Sequence, residues 1–575
     1  MELIANNSLA MTLLALLPIL SLLALLLFVK HPKTQKPLSV PMAGGISLAI
    51  SLVVALGFFG MPWYSGLPIA VGKALWLAFF VSLIVWGALL LYHLVSDFGA
   101  INVINKNIER FVKDRFVAFV LLAWLFTGFL QGIAGFGVPA VIVTPILIAL
   151  GFNPVKSLAA ALLGHSWAVT FGSMGAAFFV ISGLTGVPLE DLGIPVWIFN
   201  AIGILTTGIG VCWLSDGFKG VKKGLVFVIP VSLVMVIVQY FTIQFEMFAL
   251  AGLNAALAGL VAMFLLYKLM ARGKEEKGAS GFYKDKLNLA QAVFPYALIF
   301  ALLISFQLFD LLDAPDTPRN EQFRNRIGIA FDFPGWNYDT NNPSAVCSGS
   351  QVIHGRDSDG NPVIRHGVSP APNFNRIRLF VHPFLVLLLA SIAACIVYKR
   401  AGIWDKEKGR NAVRKTVQKG IPATLALLAL GNMSLIMMDS GMSNKLAYAI
   451  ATLVGPLFPL ISPFFGVLAS FLTGNNTNAN ILFGNFQYAV AYRLGISTAV
   501  MSAAQSISAS VGVAIGPTLV LMAALASDQK DKVSDTLKTL IPIMLIIALV
   551  MGIANFALLN LGLYEEILKF LGRGG

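Results

Sequence analysis

The chain has 575 residues, of which 57% are hydrophobic and only 12% are charged. A soluble globular domain carries roughly 25% charged residues, so this composition excludes a soluble fold for most of the chain. The net charge of +13 does not indicate a nucleic-acid partner, because the Lys and Arg residues lie in short stretches between apolar blocks, as membrane orientation requires.

Long apolar blocks recur from one end of the chain to the other. Residues 10–29, 379–397 and 540–561 each supply about the 20 residues that a helix needs to cross a hydrocarbon core of ~30 Å. Backbone amides in lipid have to be bonded within the segment, so the blocks predict helices. We expect an all-α polytopic protein of the cytoplasmic membrane, with about 12 transmembrane helices in the lipid bilayer. The first block is expected to be a retained span, because only Glu2 is charged ahead of it and no basic region precedes it.

Charge placement predicts the orientation of these helices. Residues 30–36, 219–223, 268–286 and 399–415 are basic and are therefore expected in the cytoplasm. The loop at residues 184–194 has no Lys or Arg and carries two carboxylates, which places it outside. Span counting then makes the N-terminus external.

Residues 313–378 differ from the rest because they are polar and rich in Asn, Pro and Gly. Span counting places this loop outside, between an N-terminal membrane half (residues 1–312) and a C-terminal half (residues 379–575). One interpretation is an external cap or linker. The other is a domain that samples substrate or supports assembly.

The apolar segment at residues 116–151 is interrupted by three glycines and a proline. Glycine and proline make a continuous helix costly, and each flank of about 13 to 15 residues corresponds to half a membrane crossing. A re-entrant hairpin fits this pattern, with an irregular tip that has to line a cavity. The candidate binding residues at this tip are Gln131, Gly132, Gly135, Phe136 and Gly137.

A weak internal repeat relates this segment to a second one. A shift of 344 residues places Gly151 on Gly495, Ser166 on Ser510 and the segment at 116–151 on residues 461–492. Charge bias gives the paired spans opposite directions, which is typical of the inverted-topology repeats of secondary transporters.

The second segment breaks at a polar run in the middle of an apolar stretch. Uncompensated amides and hydroxyls are costly in lipid, so the run has to bond to something. One interpretation is a structural turn whose side chains cap helix ends. The other is a ligand site, where helix N-termini hold a carboxylate. The candidate residues are Asn475, Asn476, Thr477, Asn478 and Asn480.

Each break is followed by a predicted span rich in small and polar residues. Such residues either allow close helix packing or bind substrate. The candidates are Ser166 and Thr170 in the first span and Gln505, Ser506 and Ser508 in the second. His165 lies within the first span and is the candidate for proton coupling, against the alternative of a neutral core histidine.

Three motifs resemble the L-lactate permease family. They are the run at residues 131–137 followed by Pro139, the run at residues 169–175, and the run at residues 472–480 followed by Phe483-Gly484-Asn485. The resemblance implies import of lactate, and often glycolate, in symport with protons across a cytoplasmic membrane. The Asn476-Thr477 tip is more distantly similar to carboxylate transporters with paired inverted hairpins, which implies an elevator mechanism and a homodimer.

We therefore expect residues 116–216 and 461–560 to move together, with the substrate carboxylate between the two tips. A Na⁺-coupled transporter of another anion, such as a dicarboxylate, sulfonate or amino acid, is the alternative, since Asn, Thr and backbone carbonyls also suit Na⁺. No enzyme is expected, because the histidines and three cysteines form no nucleophile–base set or metal cluster. No cofactor is expected beyond the co-transported ion.

Overall fold

The computed structural model describes residues 9–29, 38–111, 114–133, 137–270, 286–309, 327–334, 336–337, 352–356, 362–368, 371–380 and 382–572. Within these residues, 11 helical segments are long and apolar enough to cross a membrane. The prediction of an all-α, multi-pass membrane protein is confirmed. The candidates Gly135 and Phe136 lie outside the described residues.

The helices before the polar loop are mostly long and apolar. Two helical stretches are irregular. Residues 115–133 contain a π-helical turn at Leu121–Phe126, and the helix Leu189–Gln244 has a kink at Asp216–Gly217. The α-helices are α1 Leu9–Phe28, α2 Val40–Gly57, α3 Gly66–Asp97, α4 Ala100–Phe111, α5 Arg115–Val120, α6 Thr127–Ile133, α7 Val138–Ala149, α8 Pro154–Ser166, α9 Gly172–Thr185, α10 Leu189–Gln244, α11 Ala251–Met270 and α12 Leu289–Phe309.

The second half of the chain is again helical. Short 3₁₀ turns at Gly455–Leu457, Val513–Ile515 and Lys530–Lys532 connect some of its helices. The α-helices are α13 Pro383–Arg400, α14 Lys406–Asp439, α15 Met442–Val454, α16 Phe458–Thr473, α17 Asn476–Leu494, α18 Thr498–Gly512, α19 Pro517–Ala526, α20 Val533–Asn560 and α21 Leu563–Phe570.

The element boundaries follow the 344-residue repeat. The shift carries the first residue of α8, Pro154, onto the first residue of α18, Thr498. It also carries the kink residue Asp216 in α10 onto Asn560, where α20 ends. Packing repeats in the same way, because α2 packs on α14 as α13 packs on α3, while α3 and α14 pack on each other. The weak sequence repeat is thus a repeat of helices and of their contacts.

The helices α3 and α14 form the centre of one part of the molecule. A buried ion pair joins them, with Lys73 Nζ 3.2 Å from Asp439 Oδ2. Each side chain is at most 4% exposed. Breaking such a pair on one side leaves a charge in an apolar interior, so the pair holds the two helices in one register.

The described part of the polar loop contains five short strands, which the sequence analysis does not predict. Strands β1 (Gly328–Phe333) and β5 (Ala371–Arg378) pair antiparallel, and β4 (Pro362–Val368) pairs with both β2 (Trp336–Asn337) and β3 (Val352–Arg356). Most of these pairings join residues far apart in the chain, so local sequence gives little signal for them.

The paired strands β1 and β5 rest on the membrane helices. The indole Nε1 of Trp76 in α3 donates to the carbonyl oxygens of Phe374 and Asn375 over 2.9 and 3.1 Å. The Asn375 side chain also lies against Gly183 in α9. This segment therefore bridges α3 and α9.

Both predicted breaks are present, but the helical stretch before the first break is longer than expected. Residues Arg115–Ile133 form one helical stretch of 19 residues, about 28 Å long at 1.5 Å per residue. This stretch is longer than the flank of about 13 to 15 residues that the sequence predicts, and the half crossing of the membrane by each flank stays a prediction. Re-entry of each hairpin from one side of the membrane stays a prediction.

Candidate functional site

The second break is a sharp turn stabilised by its own side chains. Gly474 ends α16 with a φ of +68°, a conformation in which glycine carries no steric penalty. The Asn475 side-chain oxygen then accepts a hydrogen bond from the Thr477 amide over 2.7 Å and caps α17. The structural-turn interpretation is therefore correct for Asn475. It does not account for Asn476 and Asn480, which are fully buried.

A further break, which the sequence analysis missed, lies between α8 and α9. The predicted continuous span at residues 164–173 is wrong, because α8 ends at Ser166 and α9 begins only at Gly172. Ser173, Met174 and Gly175 then follow with positive φ values of 48°, 57° and 80°. Left-handed backbone at two non-glycine residues is strained and persists only where surrounding packing holds it. The counterpart in the other repeat is the 3₁₀ turn at Val513–Ile515 and the extended Gly516. We call residues 167–172 and 513–516 the unwound segments of the two repeats.

Each hairpin tip packs on the unwound segment of its own repeat. A Cβ atom on Gly172 would collide with the Gln131 side-chain nitrogen. In the other repeat, a Cβ atom on Gly516 would lie 3.0 Å from the Cα atom of Gly474. The shift of 344 residues relates these two contacts to within one residue. Both glycines thus allow a close approach that any side chain would prevent.

Hydrogen bonds connect the two repeats at the centre of this region. Asn476 Nδ2 donates to Thr170 Oγ1 over 3.0 Å, and Thr170 Oγ1 donates to the Ser506 carbonyl oxygen over 3.0 Å. Asn480 Nδ2 donates to Ser506 Oγ over 3.0 Å and to the carbonyl oxygen of Ala177 over 3.1 Å. We call Thr170, Asn476, Asn480 and Ser506 the central cluster. The structure brings together four of the predicted residues, from three separate segments of the chain.

The hydrogen-bond partners fix the orientation of both asparagine amides. Asn480 has to present its NH₂ group to the Ala177 carbonyl, which only accepts. Thr170 gives its single proton to the Ser506 carbonyl, so it has to accept from Asn476. The carbonyl oxygens Oδ1 of Asn476 and Asn480 are therefore buried acceptors, and neither has a hydrogen-bond partner among the described residues. A ligand donor that reached either oxygen would gain a hydrogen bond there.

Ser510 forms hydrogen bonds with backbone groups of Ser166 and Thr170 next to the central cluster. Ser510 Oγ donates to the Ser166 carbonyl oxygen over 2.6 Å and accepts from the Thr170 amide over 3.1 Å. The side chain of Ser166 bonds within its own helix, to the carbonyl oxygen of Leu163. The candidate Ser166 therefore contributes its carbonyl oxygen to this contact, and its hydroxyl stays within α8.

Gln505 lies in a second buried network next to the cluster. Its Nε2 donates to the carbonyl oxygen of Ala479, and its Oε1 accepts from Gln487 Nε2. Gln487 also donates to the Ser462 carbonyl oxygen over 3.0 Å and is fully buried. Sequence reasoning missed Gln487, although it lies seven residues after Asn480 and thus on the same face of α17. This network holds α16, α17 and α18 together.

Ser508, Thr477 and Asn478 lie outside the central cluster. The Ser508 hydroxyl donates to the carbonyl oxygens of Ala504 and Gln505 in its own helix. Thr477 and Asn478 are buried in the first turn of α17. The first-turn amides of this helix, apart from the capped Thr477 N–H, belong to the set that an α-helix leaves without intrahelical partners.

The first tip contributes one buried polar side chain. Gln131 is 2% exposed, and its Oε1 has no hydrogen-bond partner among the described residues. Gly132 packs against the backbone of Leu253 in α11, so its role here is close packing. Gly137 begins α7 with a φ of +82° and faces Leu519 at the start of α19. The tip of one repeat thus contacts the first turn of α19, the helix that follows the break in the other repeat.

His165 is fully buried near the end of α8. Its Nδ1 lies 2.8 Å from the carbonyl oxygen of Ala161, so a neutral ring carries its proton on Nδ1. The other ring nitrogen, Nε2, is a buried acceptor with no hydrogen-bond partner among the described residues. His165 is adjacent in sequence to Ser166 but makes no hydrogen bond to the central cluster in this part of the structure. Its role in proton coupling stays a prediction.

No hydrogen bond within the described part of the chain joins a charged side chain to the central cluster. Arg493, near the end of α17, lies 4.5 Å from the ring centroid of Tyr448. No group of three His, Cys, Asp or Glu side chains that could hold a metal ion occurs in the same residues. An anion at the cluster would therefore be held by amides, hydroxyls and a helix N-terminus.

Comparison with known proteins gives matches over almost the whole chain. A family model described as L-lactate permease matches residues 11–562. The L-lactate permease of Bacillus subtilis (strain 168) is 24% identical over 536 residues, covering 89% of this chain and 91% of that protein. The glycolate permease GlcA of Escherichia coli (strain K12) is 24% identical over 545 residues, covering 89% and 90%. These relatives are permeases and not enzymes.

Two solved structures are also similar. The Alcanivorax borkumensis YdaH transporter has a TM-score of 0.38 at 14% identity and covers 95% of this chain and 97% of its own. Neisseria gonorrhoeae MtrF, described as illuminating a class of antimetabolite efflux pumps, has a TM-score of 0.43 at 13% identity, covering 95% and 94%.

Proposed function

The chain belongs to the L-lactate permease family, and we propose that it imports L-lactate, and also glycolate, in symport with protons. The substrate pair follows from relatives that are named L-lactate permease and glycolate permease. Both compounds are 2-hydroxy monocarboxylates, with one carboxylate and one neighbouring hydroxyl. A binding site for them needs donors for the carboxylate and an acceptor for the hydroxyl proton.

The observation that carries the proposal is the pair of buried acceptors in the central cluster. A carboxylate has no proton to offer Asn476 Oδ1 or Asn480 Oδ1, whereas a 2-hydroxyl group donates one. The carboxylate itself would accept from the first-turn amides of α17, where the helix dipole favours an anion. A site with these two halves selects 2-hydroxy acids over the corresponding acids that lack the hydroxyl.

The same cluster supports alternating access of the elevator type. Thr170 and Ser166 of the first repeat bond to Asn476 and Ser510 of the second. These bonds tie residues 116–216 and 461–560 into one unit around the proposed site. We propose that this unit moves against the part built on α3 and α14, and that it carries the substrate with it. A homodimer would supply a fixed support for such a movement.

We propose that His165 carries the coupled proton. Its Nε2 is the buried nitrogen that can take a proton without breaking the bond from Nδ1 to Ala161. Coupling then requires that the loaded unit moves more readily when both proton and substrate are bound than when one is bound. That requirement is a difference in affinity between the states of the protein.

Purified protein in liposomes tests the proposal directly. Counterflow of labelled L-lactate is expected, with competition by glycolate, weaker competition by propionate and none by succinate. Uptake is expected to follow a pH gradient and to ignore a Na⁺ gradient. Absence of both lactate exchange and lactate competition would contradict the substrate assignment, and Na⁺-driven uptake would contradict the proton.

A further inference from the structure

A groove lies between α3, α13 and the start of α14, far along the chain from the central cluster. It encloses about 640 Å³. Its walls are mainly apolar and come from Leu90 and Leu94 of α3 and from Leu388 and Ile392 of α13. Ile392 is 49% exposed, so the groove opens to the outer surface of the helices.

Two cationic side chains line one end of this groove. Lys406 and Arg410, in the first turns of α14, are exposed lining residues, and no ion pair joins either of them to a carboxylate among the described residues. The neighbouring Asp405 turns its carboxylate to the amides of Glu407 and Lys408 at 2.8 and 3.2 Å. The carboxylate is thus used as a helix cap.

A tryptophan is fixed at the boundary between the apolar walls and the charged end. The Trp404 ring stacks on Phe98 with centroids 5.1 Å apart and planes 11° apart. A Cβ atom on Gly409 would lie 3.0 Å from this ring, so the glycine lets α14 approach it closely. Trp at such a boundary is typical of the interface between hydrocarbon and headgroups.

We propose that this groove binds an anionic phospholipid. One acyl chain would lie along Leu90, Leu94, Leu388 and Ile392, and the phosphate would lie between Lys406 and Arg410. An apolar groove that opens outward and is lined by two cations, neither in an ion pair with another described residue, complements a lipid in both shape and charge. Since α3 and α14 carry the Lys73–Asp439 ion pair, the lipid stabilises the part of the protein against which the transport unit is proposed to move.

Cys395 provides a probe inside the groove, because it lines the wall and is half-buried. The experiment uses the full-length Cys212→Ser/Cys347→Ser protein in detergent, with the rate of maleimide labelling at Cys395 as the readout. Dioleoyl phosphatidylglycerol is expected to slow labelling about threefold, which corresponds to two-thirds occupancy. Phosphatidylcholine and glycerol 3-phosphate are expected to leave the rate unchanged.

Two variants test the cationic contacts and the apolar volume of the groove separately. Lys406→Ala/Arg410→Ala removes the proposed headgroup contacts, and Leu388→Trp fills the apolar part of the groove while keeping both cations. Each is expected to abolish the protection by phosphatidylglycerol. The control Lys219→Ala/Lys222→Ala removes two exposed cations from another basic stretch. Phosphatidylglycerol is expected to protect Cys395 in this control as in the unchanged protein. Protection that survives in the first two variants, or equal protection by phosphatidylcholine, would overturn the proposal. Protection by glycerol 3-phosphate alone would mean an anion site without a lipid.

Discussion

The hydroxyl group of Ser510 donates a hydrogen bond to the carbonyl oxygen of Ser166 over 2.6 Å, and the two residues are equivalent positions of the repeat. In repeats that are related by a two-fold pseudo-symmetry axis, equivalent residues touch each other only where the axis passes between them. The central cluster lies beside this contact, since Ser510 also accepts from the Thr170 amide. The proposed binding site therefore lies where the two repeats meet, which is typical of transporters with inverted repeats.

The bond between Ser166 and Ser510 should be important for stability. Ser510→Ala leaves the Thr170 amide and the Ser166 carbonyl without this partner in a buried position, which costs about 1–3 kcal/mol. We expect a lower melting temperature in detergent. Ser527→Ala is the matched control, because Ser527 bonds only to carbonyls of its own helix. Equal melting temperatures for the two variants would contradict the structural role of Ser510.

Asn476 should be required for binding. Asn476→Ala removes the donor to Thr170 and one of the two acceptors proposed for the substrate hydroxyl, so we expect a loss of lactate affinity of tenfold or more, equivalent to ~1.4 kcal/mol. Ser508→Ala is the control, since its hydroxyl is equally buried but bonds within α18. Counterflow at several lactate concentrations gives both affinities. An unchanged affinity in Asn476→Ala would favour a purely structural turn.

The close approach at Gly172 should be essential for transport. Gly172→Ala places a methyl group against the Gln131 amide and separates the first tip from the unwound segment. We expect transport to be lost while the protein still reaches the membrane. Gly45→Ala is the control, because no atom lies within 4 Å of a Cβ atom built there. Normal uptake by Gly172→Ala would show that this contact is dispensable.

The β1–β5 strand pair should restrain movement when it is fixed to α9. A Cβ atom on Gly183 would lie 3.0 Å from Asn375 Cγ, so the two Cβ atoms are at most roughly 4.5 Å apart, within reach of a disulfide. In a background without native cysteines, Gly183→Cys/Asn375→Cys is expected to cross-link on oxidation and to stop uptake. Reduction is expected to restore it. Full transport by the cross-linked protein would contradict movement of α9 against the β1–β5 strand pair.

Substitution of His165 should abolish proton coupling while lactate binding is kept. His165→Gln keeps a side chain that can donate to the Ala161 carbonyl but takes up no proton. We expect lactate counterflow to continue and uphill uptake driven by a pH gradient to be lost. Both assays on the same liposomes give the comparison. If proton-driven uptake persists, His165 is a structural histidine.

The composition and periodicity of the sequence determined the class of protein, because a chain of apolar blocks has few folds open to it in lipid. Glycine and asparagine runs also marked both hairpin tips, since these residues are costly in a continuous membrane helix. The break at residues 167–171 was missed because its residues, such as Trp167 and Phe171, give no local turn signal. Tertiary packing holds the left-handed turn that follows it.

The sequence by itself therefore determined an all-α membrane protein with two related broken segments and named Thr170, Asn476, Asn480 and Ser506 as candidates. Only the tertiary structure decided which candidates meet, that Ser508 faces its own helix, and that Gln487 belongs beside Gln505. The physical reason is that the direction of a side chain depends on helix phase and on the neighbouring helix. Both are set by packing between segments more than 300 residues apart, as for Thr170 and Asn476.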